Sequence, residues 1–199
     1  YIFKRNGDTW TQQTKLTAGD KQQSDNFGVS VAISGDYAIV GAHFEDDGED
    51  VNNNAGAAYI FKRNGDTWTQ QTKLDANDKQ QGDYFGYSVA ISGDYAIVGA
   101  YQEDPGDPAV INAGSAYIFK RSGDTWTKQT KLVADDKQQS DYFGVSVAID
   151  GDYAIVGAHF EDPGDPEVTN AGSAYIYLVK GIYSPVQLIP QYNQYGFSV

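Results

Sequence analysis

The feature that most constrains this sequence is a repeat with a period of 58 residues. The segment FGVSVAISGDYAIVG occupies residues 27–41 and returns, each time with one substitution, at residues 85–99 and 143–157. A second segment, YIFKRNGDTWTQQTKL, fills residues 1–16 and 59–74 unchanged, and residues 117–132 with two substitutions. Fixed-period repeats are typical of chains built from one supersecondary unit that stacks on its neighbours. We therefore expect the same local structure to be built three times.

Each copy of the first segment predicts a β-hairpin. Val29, Val31 and Ile33 alternate with small residues, which is the period of a strand with two different faces. Gly35-Asp36 then supplies a tight reversal, and a second alternating run begins at Tyr37. A buried helix is the alternative, but the glycines and the β-branched residues argue against it.

The second segment predicts another hairpin. A β-rich run at residues 1–3 is followed by Asn6-Gly7, a strong turn signal, and residues 9–11 open the return strand. Each unit thus carries four antiparallel strands, which we name A (from Phe27), B (from Tyr37), C (from Tyr59) and D (from Thr67). Four strands in a repeat of this length are typical of a propeller blade.

The connections predict two different ends of the sheets. The A–B and C–D turns are tight, whereas the B–C and D–A connections are long and polar. In an up-and-down sheet, alternate connections lie at opposite ends. We therefore expect one long-looped, acidic face and one short-turned face.

The residues at the borders of the units resemble a known family. Phe-Gly opens strand A at residues 27, 85 and 143, and Val-Gly-Ala closes strand B at residues 40, 98 and 156. This pattern resembles the FG-GAP repeat, which forms the blades of the integrin α-chain propeller and of many bacterial surface and secreted proteins. The resemblance implies an all-β propeller, usually seven-bladed, displayed outside the cell for adhesion or ligand binding. Integrin-type blades often hold calcium between strands A and B, but here that connection is too short to wrap the ion.

The predicted domain is a single FG-GAP propeller segment over residues 1–199, of about three and a half four-stranded blades. Its units start near Tyr1, Tyr59 and Tyr117, with a degraded copy at Tyr175, and residues 195–199 resemble the opening of a further strand A. Two interpretations follow. The chain is a piece of a longer propeller, which we favour, or two copies join as a homodimer to close one ring.

The B–C loops carry the strongest chemical signal, because they contain 12 of the 27 acidic residues. Calcium takes about six to eight oxygen ligands from flexible, carboxylate-rich segments that turn at a glycine. The candidate calcium ligands are Asp46, Asp47, Asp50, Asp104, Asp107, Asp162 and Asp165. The alternative is a solvated acidic loop whose Pro, Gly and Asp residues only form turns, since the spacing is not that of an EF-hand.

Several other recurring residues are interpreted as structural. Asp36, Asp94 and Asp152 are predicted to stabilise the A–B turns. The Lys-Arg pairs at residues 4, 62 and 120 are interpreted as charges that keep an outer strand from pairing with another edge. The residues predicted to be buried between blades are Phe27, Phe85, Phe143, Val31, Val89 and Val147, with packing by Trp10, Trp68 and Trp126.

The sequence offers no catalytic or cofactor-binding residues that we can name. Cysteine is absent, and no serine lies beside a plausible base. His43 and His159 follow strand B, but Tyr101 takes the same place in the middle unit, so neither histidine is assigned as a metal ligand or a base.

The predicted function is extracellular, non-enzymatic ligand binding or adhesion through the acidic face, with a protein or glycan partner. The net charge of −13 opposes binding to nucleic acid or anionic lipid, and the absence of a long apolar run opposes membrane insertion. The alternatives are a structural repeat protein that assembles into a ring or filament, and an accessory propeller of a larger secreted enzyme.

Overall fold

The computed structural model describes residues 1–46, 54–164 and 168–179. These residues form thirteen β-strands, arranged in four antiparallel sheets. None of the described residues belongs to a helix that could cross a membrane.

The strands follow the predicted order: A–B–C–D in blades I and II, C–D in the first hairpin, and A–B–C in the described part of blade III. The first hairpin pairs β1 (Ile2–Asn6) with β2 (Thr9–Thr14). Blade I contains β3 (Val31–Ser34), β4 (Tyr37–Ala42), β5 (Ala57–Asn64) and β6 (Thr67–Leu74). Blade II contains β7 (Ser88–Ser92), β8 (Tyr95–Ala100), β9 (Ser115–Ser122) and β10 (Thr125–Leu132). Blade III contains β11 (Ser146–Asp150), β12 (Tyr153–Ala158) and β13 (Ser173–Leu178). Neighbouring strands in each sheet are also consecutive in the chain, which confirms the predicted topology.

The tight turns each consist of two residues. Gly35-Asp36 joins A to B in blade I, as predicted, and Gly35 has a φ of +55°. In the first hairpin the prediction centred the turn on Asn6-Gly7, but Asn6 ends β1 and the connection is Gly7-Asp8. The left-handed conformation falls on Gly7, at a φ of +61°, because glycine adopts it without steric cost.

The long connections share one end of the sheets, which confirms the predicted long-loop face. It is formed by the B–C loops (residues 43–56, 101–114 and 159–172) and the D–A loops (residues 15–30, 75–87 and 133–145), as far as these are described. Backbone bonds join the two kinds of loop: Phe44 donates to Asp25 at 3.3 Å, and Tyr84 donates to Asn54 at 3.3 Å.

Successive blades meet at a backbone contact built around glycine, which we call the Phe-Gly joint. A Cβ placed on Gly41 would lie 1.9 Å from the carbonyl oxygen of Gly86 in the next repeat, and one on Gly99 would lie 2.0 Å from that of Gly144. Beside this contact the Phe85 amide donates to the Ala55 carbonyl at 2.9 Å. The glycines of the Val-Gly-Ala and Phe-Gly segments are therefore adjacent across the joint, where a side chain would force the blades apart.

The hydrophobic core lies between blades. Phe85 packs edge-on against Tyr117 and Phe119 of its own blade, with centroid separations of 5.4 and 6.1 Å. The same buried cluster includes Ile39 and Ile60 of blade I. Phe143 repeats the arrangement with Tyr175 and Tyr177. Each such cluster combines residues of two consecutive blades, so a blade obtains its core by stacking on the next.

The predicted burial is confirmed only where a neighbouring blade is present. Phe85, Phe143 and Val89 are buried, whereas Phe27 and Val147 are half-buried and Val31 is 68% exposed. Strand β3 lies against β7, and β7 against β11, but the described residues place no innermost strand in front of β3. The prediction for Val31 is therefore wrong, because its burial requires a strand that the preceding hairpin does not contain.

The interpretation of the Lys-Arg pairs as edge protection is also wrong. Strand C lies inside each complete sheet, between B and D. Lys4 forms an ion pair with Asp66 of the following blade at 3.1 Å, and Lys62 does the same with Asp124. The arginines face the A–B turn of their own blade, where Arg63 pairs with Asp36 and Arg121 with Asp94. Asp36 and Asp94, two of the three turn aspartates, therefore have a structural partner in their own blade.

Trp126 packs between blades as predicted. It is 9% exposed and lies edge-on to Tyr37 of the preceding blade at 5.9 Å. Its indole Nε1 donates to Gln71 at 3.1 Å, and Gln71 is the extra residue of a β-bulge in β6. The bulge thus directs a glutamine toward the next blade. Trp10, in the first hairpin, is 66% exposed, so the prediction of packing between blades is wrong for this residue.

Candidate functional site

In blades I and II, a buried glutamate fixes the B–C loop to strand D of the same blade. Glu45 accepts a hydrogen bond from Lys73 at 2.5 Å, and Lys73 also binds Asp20 at 2.9 Å. The middle repeat has the same arrangement, with Lys131 bound to Glu103 at 2.6 Å and to Asp78 at 2.8 Å. The loops are therefore held on a rigid support by ion pairs that join two loops and a strand.

Burial and hydrogen bonds shift the pKa values of these three groups. Burial raises the pKa of Glu45, although Lys73 opposes the shift. Burial alone would lower the pKa of Lys73, but hydrogen bonds to Glu45 and Asp20 outweigh it and raise that pKa. For Asp20, burial is likewise outweighed by the hydrogen bond from Lys73, so its pKa is lowered. The pKa shifts of Lys73 and Asp20 therefore both favour the charged form.

The hydrogen-bond partner of the second carboxylate oxygen of this glutamate differs between repeats. Ser115 donates to Glu103 at 2.5 Å, and Ser173 donates to Glu161. The first repeat has Ala57 at this place, and Glu45 Oε2 is buried without a hydrogen-bond partner. One substitution between repeats thus leaves one buried acceptor unsatisfied.

The described aspartates of the candidate calcium set are used mainly to close their own loops. Asp46 accepts the Asn54 amide at 2.7 Å, Asp104 accepts that of Asn112 at 2.6 Å, and Asp162 accepts that of Asn170 at 2.5 Å. Asp107 is exposed. This bond, donated by a backbone amide across eight residues in all three repeats, explains why the aspartate recurs. The asparagine recurs because its backbone is left-handed, with φ values of +49° to +53°, a conformation that asparagine tolerates.

The structure describes some of the candidate calcium ligands but not all of them. Asp47, Asp50 and Asp165 lie outside the described residues. Among the residues with described positions, no group of three or more Asp, Glu or His side chains is arranged to hold a metal ion. Calcium binding stays a prediction. If it holds, calcium must raise the unfolding temperature by binding the native state, and replacing Asp104 and Asp107 by asparagine must remove that increase.

A continuous row of aromatic rings crosses the long-loop face. We call it the aromatic row; its members are His43, Phe44, Tyr84, Tyr87, Tyr101, Tyr142, His159 and Phe160. The rings come alternately from the start of a B–C loop and from the D–A loop of the next repeat. The row therefore runs through all three blades.

The ring separations show that the aromatic row is unbroken. Tyr84 lies 5.8 Å from His43 and stacks on Tyr101 at 5.6 Å. Tyr142 continues the row, at 5.6 Å from Tyr101 and stacked on His159 at 5.7 Å. Tyr87 lies beside it, 4.5 Å from Tyr101. The four tyrosines are half-buried, and Phe160 is 43% exposed.

Two tyrosines of the row adopt a backbone conformation that is unfavourable for a bulky residue. Tyr84 and Tyr142 have φ values of +56° and +57°, and Asn26 holds the same conformation in the first repeat at +53°. Asparagine tolerates this left-handed region, whereas a bulky side chain is uncommon there. Strained residues of this kind concentrate at functional sites.

Sequence reasoning did not identify the aromatic row. The property shared by His43, Tyr101 and His159, which follow strand B in the three repeats, is an aromatic ring. Burial lowers the pKa of His43 and so favours its neutral form. The signal available in the sequence was an aromatic residue directly after every strand B.

Four-stranded antiparallel blades, stacked through a repeated backbone joint, define a protein of the β-propeller class. The particular family follows from the comparison with family models: the FG-GAP repeat model matches residues 10–61, 68–119 and 126–177. The chain belongs to the FG-GAP repeat family. No curated protein matches the chain.

Proposed function

We propose that this protein is a non-enzymatic ligand-binding or adhesion module that acts outside the cell through its long-loop face. The observation that carries the proposal is the asymmetry of the two ends of the blades. One end has two-residue turns. The other end has the long loops, which include the acidic B–C loops, and the aromatic row. Binding residues are commonly placed on loops that a rigid scaffold positions.

The chemistry of the face supports particular partners. The net charge of −13 repels nucleic acid and anionic lipid surfaces, so a protein or a glycan is the expected ligand. The buried Lys73–Glu45 and Lys131–Glu103 pairs hold the loops in place, which lowers the entropic cost of ordering them on binding.

An adhesion assay on coated microspheres tests the proposal. Spheres carrying the parent protein, and spheres carrying two matched double variants, are applied to arrays of extracellular proteins and glycans. Asp104→Asn with Asp107→Asn alters the long-loop face. Asp66→Asn with Asp124→Asn removes the same number of charges from the short-turn face.

We expect selective adhesion by the parent, loss of adhesion for the long-loop variant and retention for the short-turn variant. Equal adhesion by both variants would exclude the long-loop face as the contact surface. No adhesion by the parent to any array member would contradict the proposed function.

A second candidate function is assembly into a ring or filament through open blade faces. Ile155 of blade III is 41% exposed, whereas its counterparts Ile39 and Ile97 are each 0% exposed between blades. Val31 and Ile33 on blade I are likewise exposed. Faces of this composition fit another blade of the same repeat. Light scattering tests this candidate: a mass that rises with concentration supports it, and a concentration-independent mass of 21.7 kDa excludes it.

A further inference from the structure

We propose that the aromatic row is the ligand contact of the long-loop face and that it takes a lysine- or arginine-rich segment of a protein partner. This inference rests on the proposed function and specifies the site and the class of partner. The members of the aromatic row recur at equivalent positions of consecutive repeats. They therefore offer an extended segment several equivalent places to bind.

Tyr84 and Tyr142 adopt a left-handed backbone that is unfavourable for tyrosine, and the packing of the fold does not require tyrosine there. The first repeat has Asn26 where the other two have Tyr84 and Tyr142, and all three share the left-handed backbone. The Phe-Gly joint directly follows this position in each repeat. The fold thus accepts the favourable residue, asparagine, and the tyrosines add ring surface between neighbouring B–C loops.

The charge around the row selects a cation. Each B–C loop continues from a ring of the row into acidic residues, and Asp107 in the middle loop is exposed. Lys73 and Lys131, which lie on the same face, are already bound to carboxylates. An ammonium or guanidinium group placed over a tyrosine ring is attracted both by the ring face and by the surrounding carboxylates.

Five tyrosines outside the aromatic row lie close to a lysine or an arginine. Within the described residues, Lys or Arg lies 4.4–5.9 Å from the ring centroids of Tyr1, Tyr37, Tyr59, Tyr95 and Tyr117. These pairs do not include any ring of the aromatic row. The row therefore presents tyrosine surface, in an acidic setting, that a partner's cation can occupy.

The test uses a fluorescent deca-arginine peptide and an uncharged glucose oligosaccharide as ligands for the full chain. The main variant is Tyr84→Asn with Tyr142→Asn, which introduces the residue that the first repeat already carries. The control is Tyr153→Asn, a tyrosine that is 60% exposed and follows a tight turn at the opposite face. A second variant, Tyr101→Leu, keeps an apolar side chain but removes the π-face at a residue without left-handed backbone.

We expect the parent to bind deca-arginine with an affinity that falls as salt is added. The double variant and Tyr101→Leu should each bind about tenfold more weakly at unchanged net charge, while Tyr153→Asn binds like the parent. The unfolding temperature of each variant is measured alongside to show that it is folded.

Three results would overturn the inference. They are equal deca-arginine affinity for the parent and the row variants, an equal loss for Tyr153→Asn, and row-dependent binding of the oligosaccharide only. The microsphere assay separates this failure from that of the proposed function: adhesion that survives the row variants but not Asp104→Asn with Asp107→Asn leaves the long-loop face as the contact surface without the row.

Discussion

At residue 57, the first repeat lacks a hydroxyl that the other two repeats use. Ser115 and Ser173 each donate to a buried glutamate, whereas Ala57 leaves Glu45 Oε2 without a partner. We predict that Ala57→Ser raises the free energy of unfolding by about 1 kcal/mol, the usual net value of one such hydrogen bond. Denaturant unfolding of the two proteins measures it.

The neighbouring residue supplies the control for that prediction. Ala58 is 0% exposed and lies in the apolar cluster between blades I and II. A hydroxyl added there would enter an apolar cluster, so Ala58→Ser should lower the free energy of unfolding by about 1–3 kcal/mol. Effects of the same sign at both residues would show that Glu45 does not control the result.

A second prediction at the scale of single residues concerns pH. Burial raises the pKa of Asp83 to about 6, although its carboxylate accepts the Gln80 amide. The native state therefore holds this proton more tightly than the unfolded chain, in which the pKa is about 3.9. The contribution of Asp83 to stability is complete below about pH 4 and is lost as the pH rises through about 6.

Asp83→Asn isolates that contribution. We expect the unfolding temperature of the parent, relative to the variant, to decrease between pH 4 and pH 7. Asp141→Asn should shift in the same direction, because burial raises the pKa of Asp141 as well. A parent that gains on the variant as the pH rises would mean that the fold favours the charged carboxylate.

At the scale of the strand and its neighbours, the same residue has different surroundings in different repeats. Phe85 is 0% exposed between blades I and II, whereas Phe27 is half-buried against the two-stranded first hairpin. We predict that Phe85→Ala lowers the free energy of unfolding by about 3–5 kcal/mol and that Phe27→Ala costs clearly less. Equal losses in denaturant unfolding would contradict the assignment of the core to the space between blades.

The elements that the sequence predicted correctly are those that local chemistry determines. Gly35-Asp36 fixes a tight turn, and the alternation from Val29 to Ile33 fixes a strand with two faces, so the hairpins and their order follow from residues close together in the chain. The exposure of Val31 could not be read in this way, because it depends on which strand lies in front of β3.

The candidate site was less predictable for the same reason. The acidic long-loop face follows from strand order alone. The bond from Lys73 to Glu45 joins residues 28 apart, and that from Lys73 to Asp20 joins residues 53 apart. The stacking of Tyr84 on Tyr101 requires two different loops to meet. Such contacts depend on how blades stack, which a repeat pattern does not specify residue by residue.

At the scale of the whole molecule, consecutive repeats are held together by the Phe-Gly joint. Gly99 lies within β8, and a Cβ there would come 2.0 Å from the Gly144 carbonyl oxygen of the next repeat. Gly123 lies in a C–D turn at a φ of +61°, and a Cβ there would have no neighbouring heavy atom within 4 Å. Glycine is therefore required at residue 99 by the close approach of the next repeat, and at residue 123 by the left-handed backbone.

The most direct measurement is the free energy of unfolding of Gly99→Ala compared with that of Gly123→Ala. Alanine at Gly123 should cost about 1–2 kcal/mol, the penalty of a left-handed conformation. Alanine at Gly99 must displace the backbone of the next blade, so we predict a loss of more than about 4 kcal/mol, which is exceptional for a single substitution. A strand residue with no such contact would gain about 0.4–1 kcal/mol from the same change. A Gly99→Ala variant that is as stable as the parent, or more stable, would contradict the joint.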